Sequence, residues 1–207
     1  MMDKWVVLDA MGVVFVVGDD TNDLLVPFVQ ERMPDVSRDR INDVYLSASL
    51  GNLTSQAFWR EVGLADMYPE IESEYLDSQL TIDPHFADVA TKLAEQYRLG
   101  LISNDLSEWS CYLRAKFAPG VFETVIISAD VGIRKPDCRI YECFLSEAKV
   151  APEDCVFVDD RAKNLKPANE LGMKTVRFAR NADANPFKSD REISDFRELS
   201  VVIEDIF

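Results

Sequence analysis

The chain has 207 residues, 47% of them hydrophobic, which is enough apolar material for one medium α/β core with a small insertion and argues against disorder. Its 22 basic and 37 acidic residues leave a formal charge of −15, which argues against nucleic acid or an anionic membrane as a partner held by general electrostatic attraction. Four cysteines without a CxxC pair, and a single histidine, His85, argue against a secreted disulfide framework and against the common zinc patterns.

KWVVLD reads as a continuous apolar strand, the pattern of a parallel sheet covered on both faces. This N-terminal run is short, is broken by Asp9 and lacks a small-residue cleavage pattern, so it is not expected to be a signal peptide. No run reaches membrane-spanning length, and the expected location is the cytoplasm. After Gly12 the segment VVFVVGDD suggests a hairpin-like extension. From Asn22 the pattern turns helical through LLVPFVQERM, SRDRINDVYLSASL and GNLTSQAFWREVG. There Thr54 is placed to cap a helix, and Phe58, Trp59 and Val62 share a face. Residues of about 20 to 80 therefore form a mostly helical block.

Pro84 opens the next helix, with Phe86, Val89, Leu93 and Ala94 on one face, and Gly100 leads into the strand LGLIS. A helix over 107–117, the strand ETVIIS, a helix over 137–148 begun by Pro136, the strand CVFVD, a helix over 162–171 and the strand KTVRF follow. This alternation predicts right-handed crossovers and a doubly wound parallel sheet. The tail NADANPFKSDREISDF reads as a loop leading to a final helix.

Four polar signatures end or follow the strands. Asp9 closes WVVLD, Ser103 and Asn104 close LGLISN, Lys135 follows VIISADVGIR, and Asp159 and Asp160 close CVFVDD. Singly, such residues often cap a helix or make a turn. In a parallel sheet all of them fall along the carboxyl edge, where doubly wound folds bind ligands. Together they read as one phosphate-handling site, and Lys135, Arg134, Arg161 and Lys163 are the cations beside it that can attract a small anion. His85, at a helix start, fits a solvated or capping role.

The same signatures in this order resemble the haloacid dehalogenase-like hydrolases, a superfamily dominated by phosphatases with an aspartate nucleophile and magnesium. The resemblance rests on Asp9 followed by Gly12, on Ser103-Asn104, on Lys135-Pro136, and on Asp159-Asp160 with RAKNLKPANELGMKTV after them. It implies a Rossmann-like core over 1–19 and 81–207 and a helical cap domain over 20–80. Phe28, Tyr45, Phe58, Trp59 and Tyr75 are expected to pack the cap's own core, with one or two facing the cleft.

By that resemblance Asp9 is the nucleophile, forming an aspartyl-phosphate that water hydrolyses. Asp9, the backbone carbonyl of Met11 and Asp160 hold Mg²⁺, with Asp159 as a ligand through water or a support. Ser103 and the backbone of Asn104 hold phosphate oxygens, and Lys135 neutralises both phosphate and nucleophile. The family's usual opening is Asp-x-Asp-Gly, and here Met11 stands in the second aspartate's place. General acid-base help contributes about 10²- to 10⁴-fold, so slow turnover is expected unless water or a cap residue supplies the proton.

Three alternatives compete with the phosphatase. Dehalogenases of the superfamily also lack the second aspartate, but they work without metal and without this doubled Asp159-Asp160. A phosphonate-cleaving relative needs a cap lysine, and residues 20–80 contain none. A non-catalytic phosphate binder is the remaining alternative. The expected partner is a small phosphorylated metabolite such as a sugar phosphate.

Overall fold

In the computed structural model, residues 3–180 and 187–207 are described, and among them six strands make one parallel sheet. The strands are β1 (Trp5–Leu8), β2 (Arg98–Ser103), β3 (Thr124–Ile127), β4 (Cys155–Asp159), β5 (Lys174–Phe178) and β6 (Arg191–Ile193). Their spatial order is β3-β2-β1-β4-β5-β6, and every neighbouring pair is parallel. The chain leaves β1 towards β2 and β3 on one side, then crosses to β4, β5 and β6 on the other. A crevice therefore opens past the ends of β1 and β4, where the winding reverses.

β1 is buried on both faces, as its unbroken apolar run predicts. Val6 and Leu8 pack on one face with Leu99, Leu101, Val156 and Val158. Trp5 and Val7 pack on the other with Ile102, Phe157 and the ring of Phe144. Burying each such side chain stabilises the fold by roughly 1.5–3 kcal/mol.

The helices are α1 (Val26–Arg32), α2 (Arg38–Ala48), α3 (Ser55–Glu61), α4 (Glu70–Ser78), α5 (Phe86–Ala94), α6 (Ser107–Phe117), α7 (Ser128–Val131), α8 (Arg139–Ala148), α9 (Ala162–Glu170) and α10 (Leu199–Ile206). A π-helical turn, Thr21–Leu25, runs directly into α1. Thr54 caps α3 by accepting the Ala57 N–H at 3.2 Å, and Ser37 caps α2 by accepting that of Arg40 at 3.1 Å.

Several local expectations are corrected. VVFVV does not pair with itself. Val13, Val14 and Phe15 turn back into the core, and the partner of this segment is the chain returning from the helices: Val16 N–H donates to Thr81 O at 3.0 Å and Asp83 N–H to Val14 O at 2.8 Å. On α5 the buried face is Phe86, Val89, Ala90 and Leu93, while Ala94 is exposed, because the helical repeat brings position 90 under 86. Gly100 lies inside β2, where a Cβ would sit 2.4 Å from the ring of Phe144. Helix α8 begins at Arg139 and not at Pro136. β6 was not expected, being only three residues long; residues 181–186 of the tail lie outside the described residues, and α10 is the expected final helix.

Helices α1–α4 meet the core through an aromatic cluster in which Trp109 of α6 stands among Phe58, Trp59, Tyr75 and Tyr45, with ring centroids 5.2–6.1 Å away. Trp59 and Trp109 both donate their indole N–H to Glu72 Oε2, at 3.0 and 2.8 Å. No described helix is long and apolar enough to cross a membrane.

Candidate active site

Parallel strands deliver their last residues to one edge, and here that edge gathers Asp9 after β1, Ser103 at the end of β2, and Asp159 and Asp160 at the end of β4. Lys135 reaches them from the loop after α7 and is 5% exposed. Its ammonium lies 2.7 Å from Asp9 Oδ1 and 2.9 Å from Asp159 Oδ2, and donates to Ile102 O at 2.9 Å. Those three partners match the three donors of an ammonium. Burial alone would lower the Lys135 pKa, but Asp159 and Asp9 outweigh it and hold the ammonium above the ordinary lysine range.

Asp9 also accepts the Ala10 N–H on Oδ1 at 2.7 Å. Its carboxyl is held well above the usual range, first by burial and then by Asp159 and Asp160, with Lys135 opposing. Asp159 is wholly buried and fully engaged: Asn164 Nδ2 donates to both its oxygens at 3.0 Å, and the Arg161 N–H donates to Oδ1 at 2.8 Å. Asp160 is different. Its Oδ1 is buried with no hydrogen-bond partner, and burial followed by the charge of Asp159 pushes its carboxyl up to about 7, against Arg161 and Lys135.

Three carboxylates whose ligand oxygens all lie within 4.8 Å of one another, with one buried oxygen that has no hydrogen bond and, among the described residues, only Arg161, 4.0 Å away, as a cation, form an all-oxygen site short of positive charge. Such donors suit a hard divalent cation. Gly12 makes the approach possible: at φ +84° it leaves open a space in which a Cβ would lie 2.4 Å from Asp160 Cγ. Gly12→Ala is accordingly expected to displace the Asp160 carboxylate and to weaken the binding of any divalent cation held there at least about tenfold, the scale on which supports of a metal site act. Calorimetric titration of Mg²⁺ into wild type and variant checks this, and equal affinities would refute it.

Asn104 has a further part in its side chain. Its side chain clamps the Lys135 loop, with Nδ2 donating to Lys135 O at 3.0 Å and Oδ1 accepting the Lys135 N–H at 2.8 Å, while Asn104 O accepts Tyr45 Oη–H at 3.2 Å. The cleft above is lined by Asp9, Met11, Ser103, Asn104 and Lys135, together with Tyr45 from α2 and with Asp20, Arg134 and Arg161. Arg134 and Arg161 thus join Lys135 at the cleft, but Lys163 is exposed on α9 and is not among the lining residues. His85 lies just before α5, makes no side-chain cap and does not line the cleft.

Sequence reasoning missed three contributors. Asn164 was signalled by its place in DDRAKN, but only packing shows it holding Asp159. Arg180, which donates to Gly12 O at 3.2 Å and Val13 O at 3.3 Å and pairs with Asp83, stands after β5 with no local signal. Asp20, in the run GDDTND, is buried in the cleft wall.

Comparison with known proteins agrees with this geometry. A family model described as haloacid dehalogenase-like hydrolase matches residues 19–178. A glyceraldehyde 3-phosphate phosphatase of Methanopyrus kandleri is 29% identical over 165 residues, covering 71% of this chain and 70% of that protein. Bifunctional epoxide hydrolase 2 of Mus musculus is 41% identical over 63 residues, 30% of this chain and 11% of that protein.

Among solved structures, a HAD phosphatase from Thermococcus onnurineus superposes with a TM-score of 0.73 at 24% identity over 97% of both chains. A 2-haloacid dehalogenase from Pseudomonas syringae does so at 0.73 and 20% over 99% of both. A HAD family enzyme from Bacteroides thetaiotaomicron, in complex with magnesium and inorganic phosphate, gives 0.72 and 21% over 88% of this chain and 97% of that one. At these identities the structural likenesses speak for the fold alone.

Proposed function

The chain belongs to the haloacid dehalogenase-like hydrolases, and from that premise we propose that it is a Mg²⁺-dependent phosphatase of small phosphomonoesters, with residues 20–80 as its cap. The observation that carries the reading is the cluster of Asp9, Asp159 and Asp160, in which a buried Asp160 oxygen has no hydrogen bond, a set of donors that suits a divalent cation. Asp9, Asp160 and the backbone carbonyl of Met11 would hold the ion, with Asp159 as a support. When bound, Mg²⁺ supplies positive charge beside the nucleophile and the transferring phosphoryl group.

The chain's own residues do the rest. Lys135 keeps Asp9 in place through Oδ1, so the other carboxylate oxygen is left to attack phosphorus and form the aspartyl-phosphate. With its three donors engaged, Lys135 offers the phosphate charge more than a further hydrogen bond. Ser103 and the Asn104 backbone hold phosphate oxygens, and Arg134 and Arg161 draw the anion into an otherwise acidic protein. A triose phosphate or another sugar phosphate agrees with the activity named for the Methanopyrus relative.

A second reading is supported by Met11, which lines the cleft where an acid is usual: a protein that binds phosphate without hydrolysing it. Phosphate release from a panel of phosphomonoesters, with Mg²⁺ and with a chelator, separates the two. We expect release that the chelator abolishes, because the carboxylate cluster loses its cation. Binding of phosphate and Mg²⁺ with no release from any substrate would favour the binder, and metal-independent halide release from a haloacid would favour the dehalogenase.

A further inference from the structure

The chemistry proposed above needs a proton for the leaving oxygen, and a thioether at position 11 neither donates nor accepts one. Asp20 lines the same cleft as Asp9 and Met11, where the chain passes from the Met11–Phe15 turn into the helical block. It is 8% exposed, and among the described residues no lysine or arginine forms an ion pair with it. Arg161, the cation that influences it most, comes within 3.9 Å of Asp19 and 4.0 Å of Asp160 instead. A buried carboxylate without a countercation is costly when ionised and repels an incoming phosphate. The same group in its acid form is a hydrogen-bond donor facing the cleft.

We propose that Asp20, resting on the phosphatase reading, is the general acid and base of the reaction in place of the residue at position 11. In the first half-reaction Asp9 bonds to phosphorus, the phosphorus–oxygen bond to the substrate alcohol breaks, and the Asp20 proton passes to that oxygen, releasing the neutral alcohol. In the second, Asp20 carboxylate takes a proton from water as its oxygen bonds to phosphorus. The Asp9–phosphorus bond breaks, phosphate leaves, and both carboxyls return to their starting states.

The surroundings suit this cycle. Burial, aided by Asp19 and opposed by Arg161, pushes the Asp20 carboxyl up to about 6, and Asp105, Tyr45 and Tyr75 are the further titratable groups within its field. A group that titrates near the working pH can both give and take the proton.

The test compares kcat/KM on an alkyl phosphate and on p-nitrophenyl phosphate, whose leaving group departs without a proton. Wild type, Asp20→Asn, Met11→Asp and the double variant are measured from about pH 5 to about pH 9, across the range where such a group titrates. Asp20→Asn is expected to lose about 10²- to 10⁴-fold on the alkyl ester and far less on the aryl ester. It should also lose the alkaline fall of the wild-type profile, since that fall reports loss of the Asp20 proton. Adding Met11→Asp should restore alkyl activity. Equal losses on both esters in a protein that still melts cooperatively, or full alkyl activity in Asp20→Asn, would overturn the assignment. Wild type inactive on both esters, or Asp9→Asn as active as wild type, would instead remove the phosphatase reading and this assignment with it.

Discussion

Asp9→Asn is expected to reduce phosphate release by at least about 10³-fold, the scale on which loss of a covalent nucleophile acts in hydrolases, while leaving the fold intact or slightly more stable. The two halves of this expectation have separate causes. An amide oxygen does not form the aspartyl-phosphate, so the covalent path closes. Yet the native Asp9 carboxyl is buried beside Asp159 and Asp160, and its raised pKa means that ionising it opposes folding at neutral pH. Asparagine can keep the Ala10 N–H contact without that charge. Steady-state assays and thermal melts on the same preparations check both halves. An active Asp9→Asn would end the nucleophile assignment, and a strongly destabilised one would show that the charge is structural.

Lys135→Met has the opposite profile. It removes the only cation paired with Asp9 and Asp159 among the described residues and leaves Ile102 O without its donor. Breaking a buried pair from one side costs about 3–5 kcal/mol, because the partner charge stays behind. A loss of this size is a large part of the stability of an ordinary domain. Because the cost lies in the stranded carboxylates, adding Asp159→Asn to Lys135→Met should recover part of it, a non-additivity expected of groups in contact. Urea unfolding of both single variants and the double variant measures the coupling. Purely additive losses would mean that Lys135 is not coupled to Asp159 and stabilises through Asp9 and through its cation–π contact with Phe157, 5.3 Å from the ring centroid.

The parts of the site that were legible in the sequence are those set by strand ends. Asp9, Ser103, Asp159 and Asp160 follow apolar runs long enough to announce a strand, and a parallel sheet brings such positions to one edge whatever lies between them. Lys135 was legible by its motif, although its tie to Asp9 and Asp159 is a matter of packing. The missed parts depend on contacts made far along the chain. Gly100 looked like punctuation because the ring that requires it, Phe144, belongs to another helix. Phe15 looked like part of a hairpin because its bridge partner, Ile82, lies beyond the helical block. β6 is too short to show a period, and the clamp that the Asn104 side chain places on the Lys135 loop depends on a segment 31 positions further along.

The carboxylate of Glu72, shared by two indoles, bears on how this segment can be exchanged between relatives. Trp59 comes from the helices that residues 20–80 contribute, but Trp109 belongs to α6, beyond both crossings. A chimera cut at the crossings alone would keep Trp59 with Glu72 but take Trp109 away from their common acceptor and open a gap in the aromatic cluster. The portable cassette is therefore discontinuous: it must carry position 109 along with the inserted helices. Because two of the three tryptophans stand at this seam, the emission spectrum of such a chimera would show directly whether the seam had closed.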